Sequence, residues 1–408
     1  MKEIGSTVGR RALVVGLGIS GISVALRLSQ AGWIPVIVEK HAGRRSGGYF
    51  VGLFGTGRAA AERLGILKSM TDRAAPKSVT LDLDRMGNGK PGLGFTDLPG
   101  RPWIMLRGDA ERAAYAALPE HIEIRFSTVP TAIEQRADAV EVTLTNSLDG
   151  TNAIESFDLV VGADGLRSTV RSLAFGPHKQ HLKRLNHMIA AFQLAEPLDG
   201  IAPQDGATLM EPGRSMWLFP FADQAPTALF SYRTDDVDAE FSEPPAQRIR
   251  RVFGSRPLGP ILRQAIDELE NADEILFDSV EQVNLDSWHD RRVVLIGDAA
   301  WCPTLYSGMG LSAALSGAEL LGTELERHPE DLELALTSWE KQIRPYMDYY
   351  QEIGLRQKAF FTPATYLQIL RRRMFIRLQA LPIIGKSLLN RRVTGKDGRM
   401  KEVDIAAA

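Results

Sequence analysis

Hydrophobic residues change their period along this chain, and the changes mark out its elements. The first run, "ALVVG" at 12–16, is continuous and rich in valine, as in a strand buried on both faces. "LGISGISVALRLSQAG" then sets apolar residues at helical spacing, with Gly32 placed to close the helix as a C-cap. A second continuous run, "IPVIVEK" at 34–40, ends in Glu39, so a strand–helix–strand unit is predicted at the start of the chain. Beyond a Gly/Arg-rich loop at 43–48, "GTGRAAAERLGIL" predicts a helix, and polar strands begin near Ser78. "PWIMLRGDAERAAYAAL" (102–118) predicts a strand leading into an amphipathic helix. Three alternating stretches, "IEIRFST", "AVEVTLTN" and "ESFDLVVGADG", predict a small meander that returns to a buried strand at 157–162. Between 186 and 284 alternation dominates, in segments such as "ATLMEPGRSMWLFPF" and "TALFSYRT", and predicts a largely antiparallel sheet. "RVVLIGDAA" restores the continuous pattern. The fold class expected is α/β (α+β overall), a nucleotide-binding part interrupted by strand-rich insertions.

Composition narrows the classes of function. The 408 residues favour two domains or one large discontinuous fold, and 44% hydrophobic with 24% charged residues is ordinary for a globular enzyme. Lys+Arg (48) nearly balance Asp+Glu (50), so no global field recruits nucleic acid. One cysteine forms no internal disulfide and no CxxC metal site, which suits a reducing cytoplasm, and no metal ligand set is expected. The opening "MKEIGSTVGRR" lacks the apolar core of a signal peptide, and no apolar stretch reaches the ~18–20 residues of a membrane span.

Gly16, Gly18 and Gly21 form GxGxxG between the first strand and the helix that Ile19 and Ser20 open. The first glycine permits the turn, the second admits a pyrophosphate, and the third lets helix and sheet pack. Backbone N–H groups at the helix start then face the phosphates. Glu39 follows Gly21 by 18 residues, with Lys40 beside it, and a carboxylate there accepts the ribose hydroxyls of an adenosine. The adenosine belongs to FAD or NAD; this motif does not choose.

Three further segments choose. "DLVVGADGLRSTVR" (158–171) carries Asp164, Arg167 and Arg171; "RVVLIGDAA…P…SGMGLSAAL" carries Asp298, Pro303, Gly308 and Gly310; "MLRGDAERAAYAAL" puts Arg107 at a helix head. In this order and at these separations, from about residue 10 to 345, they resemble the para-hydroxybenzoate hydroxylase-like family of single-component, FAD-dependent aromatic monooxygenases. The resemblance implies that Asp298 binds the ribityl chain of FAD and that Gly308 to Ser312, Leu311 included, present backbone N–H groups to the isoalloxazine. It implies cofactor roles for Arg107, Asp164, Arg45, Gly47 and Gly48, and places Arg167 and Arg171 on the route shared with the pyridine nucleotide. The implied fold is a GR2-type Rossmann-like FAD domain (1–74, 103–175 and 285–345), a substrate domain (75–102 and 176–284) and a C-terminal helical segment (346–408). The implied reaction uses NADH or NADPH and O2, through a flavin C4a-hydroperoxide, to hydroxylate or epoxidise an aromatic or polyketide-like molecule. An FAD-dependent reductase or dehydrogenase without oxygen insertion, or a non-catalytic FAD-binding protein, are the alternatives.

Trp217, Phe219, Tyr232 and Tyr306 are candidate walls of the substrate pocket. No residue is singled out as an acid–base catalyst, because the flavin carries the hard steps. Trp301 stands where the family usually has histidine, and Cys302 has no nearby histidine in sequence, which favours a small buried thiol over a nucleophile. The basic and apolar stretch "QILRRRMFIRLQALPIIGKSLLNRR" reads as a helix broken at Pro382. It is expected to pack on the FAD domain with its arginines in solvent, with contact to an anionic membrane or a cover over the substrate cavity as the alternatives. The chain is expected to be a monomer or a homodimer.

Overall fold

The computed structural model describes residues 9–44, 47–97, 100–379 and 395–407. The continuous apolar runs meet in a six-stranded sheet ordered His289–Asp290, Val293–Leu295, Leu159–Gly162, Arg11–Val15, Ile34–Val38, Glu123–Arg125. Its pairings are parallel except at the His289–Asp290 edge. Val293–Leu295, Leu159–Gly162 and most of the two N-terminal strands are buried, which explains the missing alternation.

The expected meander is redistributed. Glu123–Arg125 pairs in parallel with Val36–Val38, whereas the meander consists of Thr128–Gln135, Val140–Asn146 and Asn152–Phe157. Ser127, at φ 51°, separates the two, so residues either side of it enter different sheets.

A seven-stranded sheet runs Leu276–Val283, Leu182–Gln193, Thr227–Arg233, Arg214–Phe219, Gly206–Glu211, Thr80–Leu83, Gly89–Pro91. It is antiparallel except where Gly206–Leu209 meets Thr80–Leu83. Side chains alternate across it. Met188, Ala190, Phe230 and Tyr232 enter a core closed by the helices Pro245–Phe253 and Pro260–Asn271, two helices the strand pattern left unmarked. Ile189, Ala191, Leu229 and Phe219 belong instead to the main core shared with the six-stranded sheet.

Helix Gly310–Arg327 packs against Ile19–Gln30, Gly55–Arg63 and the 30-residue helix Leu332–Phe361. That long helix, with Pro345 inside it, runs straight through the limit expected at 345/346. After it come helix Tyr366–Gln379 and, later, Lys396–Glu402. Pro382 lies outside the described residues. Among the described residues no helix is long and apolar enough to cross a membrane.

Candidate active site

The strand-to-helix turn is built by glycines with different duties. A Cβ on Gly16 (φ +106°) would lie 2.6 Å from the Ala163 carbonyl oxygen, and one on Gly21 would lie 1.9 Å from the Gly16 oxygen, so both serve close packing. Gly18 faces room, its nearest neighbour being a Glu111 carboxylate oxygen at 3.8 Å. Beside this turn, Glu39 accepts from the Leu17 N–H (2.9 Å), the His41 N–H (3.0 Å) and the His41 ring. Burial pushes its carboxyl up, but these donors outweigh burial and hold it below the usual carboxylate range.

Two cavities run from here. One of about 220 Å³ is lined by Gly16, Glu39, Lys40 and Asp164, and one of about 370 Å³ reaches the seven-stranded sheet. Both are lined by Gly18, Arg107, Glu111, Ala163 and Gly165, so together they form one elongated groove. Arg107 heads the helix Arg107–Ala116, donates to Glu111 at 2.7 Å, and keeps a buried Nε with no partner among the described residues. Asp164 accepts from Ser168 Oγ and the Thr169 and Val170 N–H groups, while burial raises its carboxyl.

The larger cavity is also lined by Ile19, Ser20, Asp298, Pro303, Gly308, Gly310 and Leu311. Asp298 follows Gly297 (φ +64°), and its side chain is exposed where it lines the cavity. Gly308 is left-handed (φ +69°), and a Cβ on Gly310 would meet nothing within 4 Å. The helix that follows makes an intrahelical bond from Ala313 N–H to Met309 (2.8 Å), leaving the amides of Gly310, Leu311 and Ser312 ahead of it. An elongated cofactor ending in a flat ring fits this groove. Room stands open at Gly18 and Gly310, a spare donor waits at Arg107, and carboxylates sit at Glu39 and Asp298.

Other expected residues take different positions. Ser312 Oγ accepts from the Phe54 N–H at 3.0 Å, so its side chain holds a neighbouring loop. Gly47 and Gly48 line neither cavity; a Cβ on Gly48 would lie 2.8 Å from the Gly108 nitrogen, and one on Gly47 would meet Glu274. Arg45 lies outside the described residues. Arg167 donates at 3.0 Å to each of Asp278, Ser279 and Glu281. Arg171 is fully buried and bonds the Ala299 (2.9 Å) and Leu166 (2.7 Å) carbonyls, tying the segment after Asp164 to the one after Asp298.

Of the aromatic candidates, Phe219 lines the larger cavity. Tyr232 points to the other face of the sheet, where its hydroxyl donates to Glu240 at 2.6 Å. Trp217 shares the face of Phe219 but does not line the cavity, its indole donating to the Phe361 carbonyl (3.1 Å). Tyr306 is buried behind the wall, 2.9 Å from the Ser231 hydroxyl. Walls that went unread include Tyr49, Phe50, Phe95, Ile189, Thr227 and Phe361. Phe50 stacks on Phe219 (4.3 Å) with Phe95 edge-on to it (4.8 Å). The alternation of residues 186–234 marked such positions as buried without saying which face meets the groove.

Trp301 turns away from the groove, 4.9 Å from Trp288 and 6.1 Å from Trp339, under Gly317. Cys302 borders the cavity, its thiol driven well above the ordinary range by burial and then by Asp298. It is a neutral neighbour of the groove, with no thiolate to offer.

Comparisons with known proteins give this geometry a family. A flavin-dependent monooxygenase from an unknown prokaryotic organism is 28% identical over 350 residues, 85% of this chain and 88% of its own. The tetracycline destructase Tet(51) superposes with a TM-score of 0.74 at 24% identity, covering 94% of this chain and 98% of that one. Klebsiella pneumoniae HpxO, solved with FAD and uric acid, gives 0.73 at 21%, covering 95% and 97%. The family described as "FAD binding domain" matches residues 10–330, and the chain belongs to it.

Proposed function

We propose that this FAD-dependent monooxygenase takes electrons from NADH or NADPH and inserts one oxygen atom of O2 into a neutral aromatic or polyketide-like molecule. The observation that carries this reading is the continuity of the groove. A cofactor anchored at Glu39 and passing Arg107 would bring its far end to Asp298 and Gly310, directly beneath an apolar chamber. FAD supplies the redox chemistry; the chain's residues bind it, orient the substrate and keep water out. Phe50, Phe95, Phe219, Ile189, Leu229 and Phe361 give flat apolar contact, which suits a planar ring. Arg107 is the one Lys or Arg among the described residues that line the larger cavity, and it is paired with Glu111, so a substrate carboxylate there would lack a counter-charge. Neither histidine nor lysine lines the larger cavity among the described residues; its carboxyl groups are Glu111, Asp278, Glu281 and Asp298. The single cysteine supports a reducing, cytoplasmic setting.

Purification provides the test. A yellow, FAD-bearing protein whose NAD(P)H oxidation and O2 uptake rise with a neutral phenolic or polycyclic compound, yielding a product heavier by one oxygen, is the expected result. Asp298→Ala should elute folded but depleted of flavin by about tenfold or more, since it removes a charge-assisted contact to the cofactor. Full flavin retention by that variant would remove Asp298 from the binding role, and reduction without oxygenated product would turn the reading to a dehydrogenase.

A further inference from the structure

Helix Tyr366–Gln379 turns cations inward and leaves large apolar residues in solvent. The ordinary surface helix turns its apolar stripe inward and its charges out. Here Arg372 is only 8% exposed, donates to the Leu93 carbonyl at 2.9 Å, and lies over the rings of Phe360 (4.8 Å) and Trp217 (5.5 Å). Arg373 reaches the buried Asp82 at 2.7 Å. With Ile369 and Ile376 also facing inward, the helix is pinned to the substrate sheet through two of its cations.

The outward face is apolar. Leu367 (55% exposed), Leu370 (59%), Met374 (59%) and Leu378 (40%) fall three or four residues apart and make one stripe. Arg371 and Arg377, both exposed, flank that stripe on either side. Between Glu352 and Asp397 the sequence has no acidic residue, and beyond the helix it adds Lys386, Arg391 and Arg392. A chain with a net charge of −2 thus carries a solvent-facing apolar stripe within a run of its sequence that has no acidic residue.

We propose that this face docks on the surface of an anionic lipid bilayer. The stripe would enter the boundary between headgroups and acyl chains, and Arg371 and Arg377 would reach up to the phosphates on their long stems. Arg371 and Arg377 add attraction to anionic headgroups that falls with salt. A protein partner with an apolar groove would match the stripe, but it has no need of a long acid-free stretch around it. The helix follows closely on Phe361, a wall of the substrate cavity, so docking would bring that end of the cavity near the membrane.

The test is co-flotation of the full-length, flavin-loaded protein with vesicles. Vesicles of phosphatidylcholine containing about one-third phosphatidylglycerol should carry the protein, and pure phosphatidylcholine should carry at least tenfold less. Raising NaCl to about 0.5 M should release most of it. The double variant Leu370→Glu/Met374→Glu should lose flotation by tenfold or more while keeping its flavin content and far-ultraviolet circular dichroism, because both side chains lie on the surface. Flotation unaffected by the double variant, or equal on neutral and anionic vesicles, would overturn the proposal. So would absence of flotation, including the case in which light scattering finds a dimer that the double variant splits, which would give the face to a second copy.

Discussion

Buried ionisable groups in this protein divide by whether something answers their charge. Glu39 is surrounded by donors and stays ionised below its ordinary range, as a ligand for hydroxyl groups requires. Lys401 is the opposite case. It is fully buried on the helix Lys396–Glu402, 4.5 Å above the Phe54 ring, and its ammonium has no hydrogen-bond partner among the described residues. Burial pushes its pKa down to about 8, against the attraction of Asp397 and Glu402 and alongside the repulsion of Arg356. A lysine whose folded pKa lies below its unfolded value of 10.5 destabilises the fold while it is charged. That cost is fully present below about pH 8 and fades as pH rises towards 10.5. Lys401→Met should therefore raise the unfolding free energy at pH 7 by about 1–3 kcal/mol. In urea titrations the gain should shrink markedly by pH 10, and a gain equal at both pH values would show that packing, not charge, is responsible.

At the scale of elements, the sequence announced whatever its local pattern controls. The first strand–helix–strand unit, the strand before Asp298 and the helix headed by Arg107 were legible because period and capping residues are local. Glu123–Arg125 was misplaced because a single left-handed residue, Ser127, decides which sheet the flanking residues join. Tyr232 was misread for a related reason: period two marks alternate faces without naming them, and only the partner sheet shows which face meets the groove. Gly354 illustrates a contact that no local pattern reveals. A Cβ there would lie 2.4 Å from the Pro303 carbonyl oxygen and 2.8 Å from Thr304 Oγ1, so the long helix seats the turn that carries Gly308 and Gly310. Gly354→Ala should cost about 1–3 kcal/mol of stability by overpacking. Because the strain falls on the cofactor wall, flavin affinity should fall about tenfold as well, read by equilibrium dialysis. Unchanged affinity in a destabilised variant would confine that contact to folding.

Across the whole molecule, the groove lies between bodies that are stable for separate reasons. One core joins the six-stranded sheet, the long helices and one face of the seven-stranded sheet; the other lies between that sheet's far face and the helices Pro245–Phe253 and Pro260–Asn271. Both cores are made of the chain's own side chains, so the apoprotein should fold, with the groove as its weakest region. A ligand spanning from Glu39 to Asp298 adds contacts to both walls at once and stabilises the folded state in proportion to its occupancy. At free FAD about one hundred times its dissociation constant, the gain is roughly 2.7 kcal/mol, or about 3 °C in Tm for a chain of this length. Scanning calorimetry of flavin-stripped protein should show that rise with added FAD, and Asp298→Ala, binding about tenfold more weakly, should show about half of it at the same FAD concentration. Thermal unfolding that splits into two transitions, of which FAD moves only one, would mean that the cofactor rests on the six-stranded half alone and that the sheet side of the groove is held for substrate.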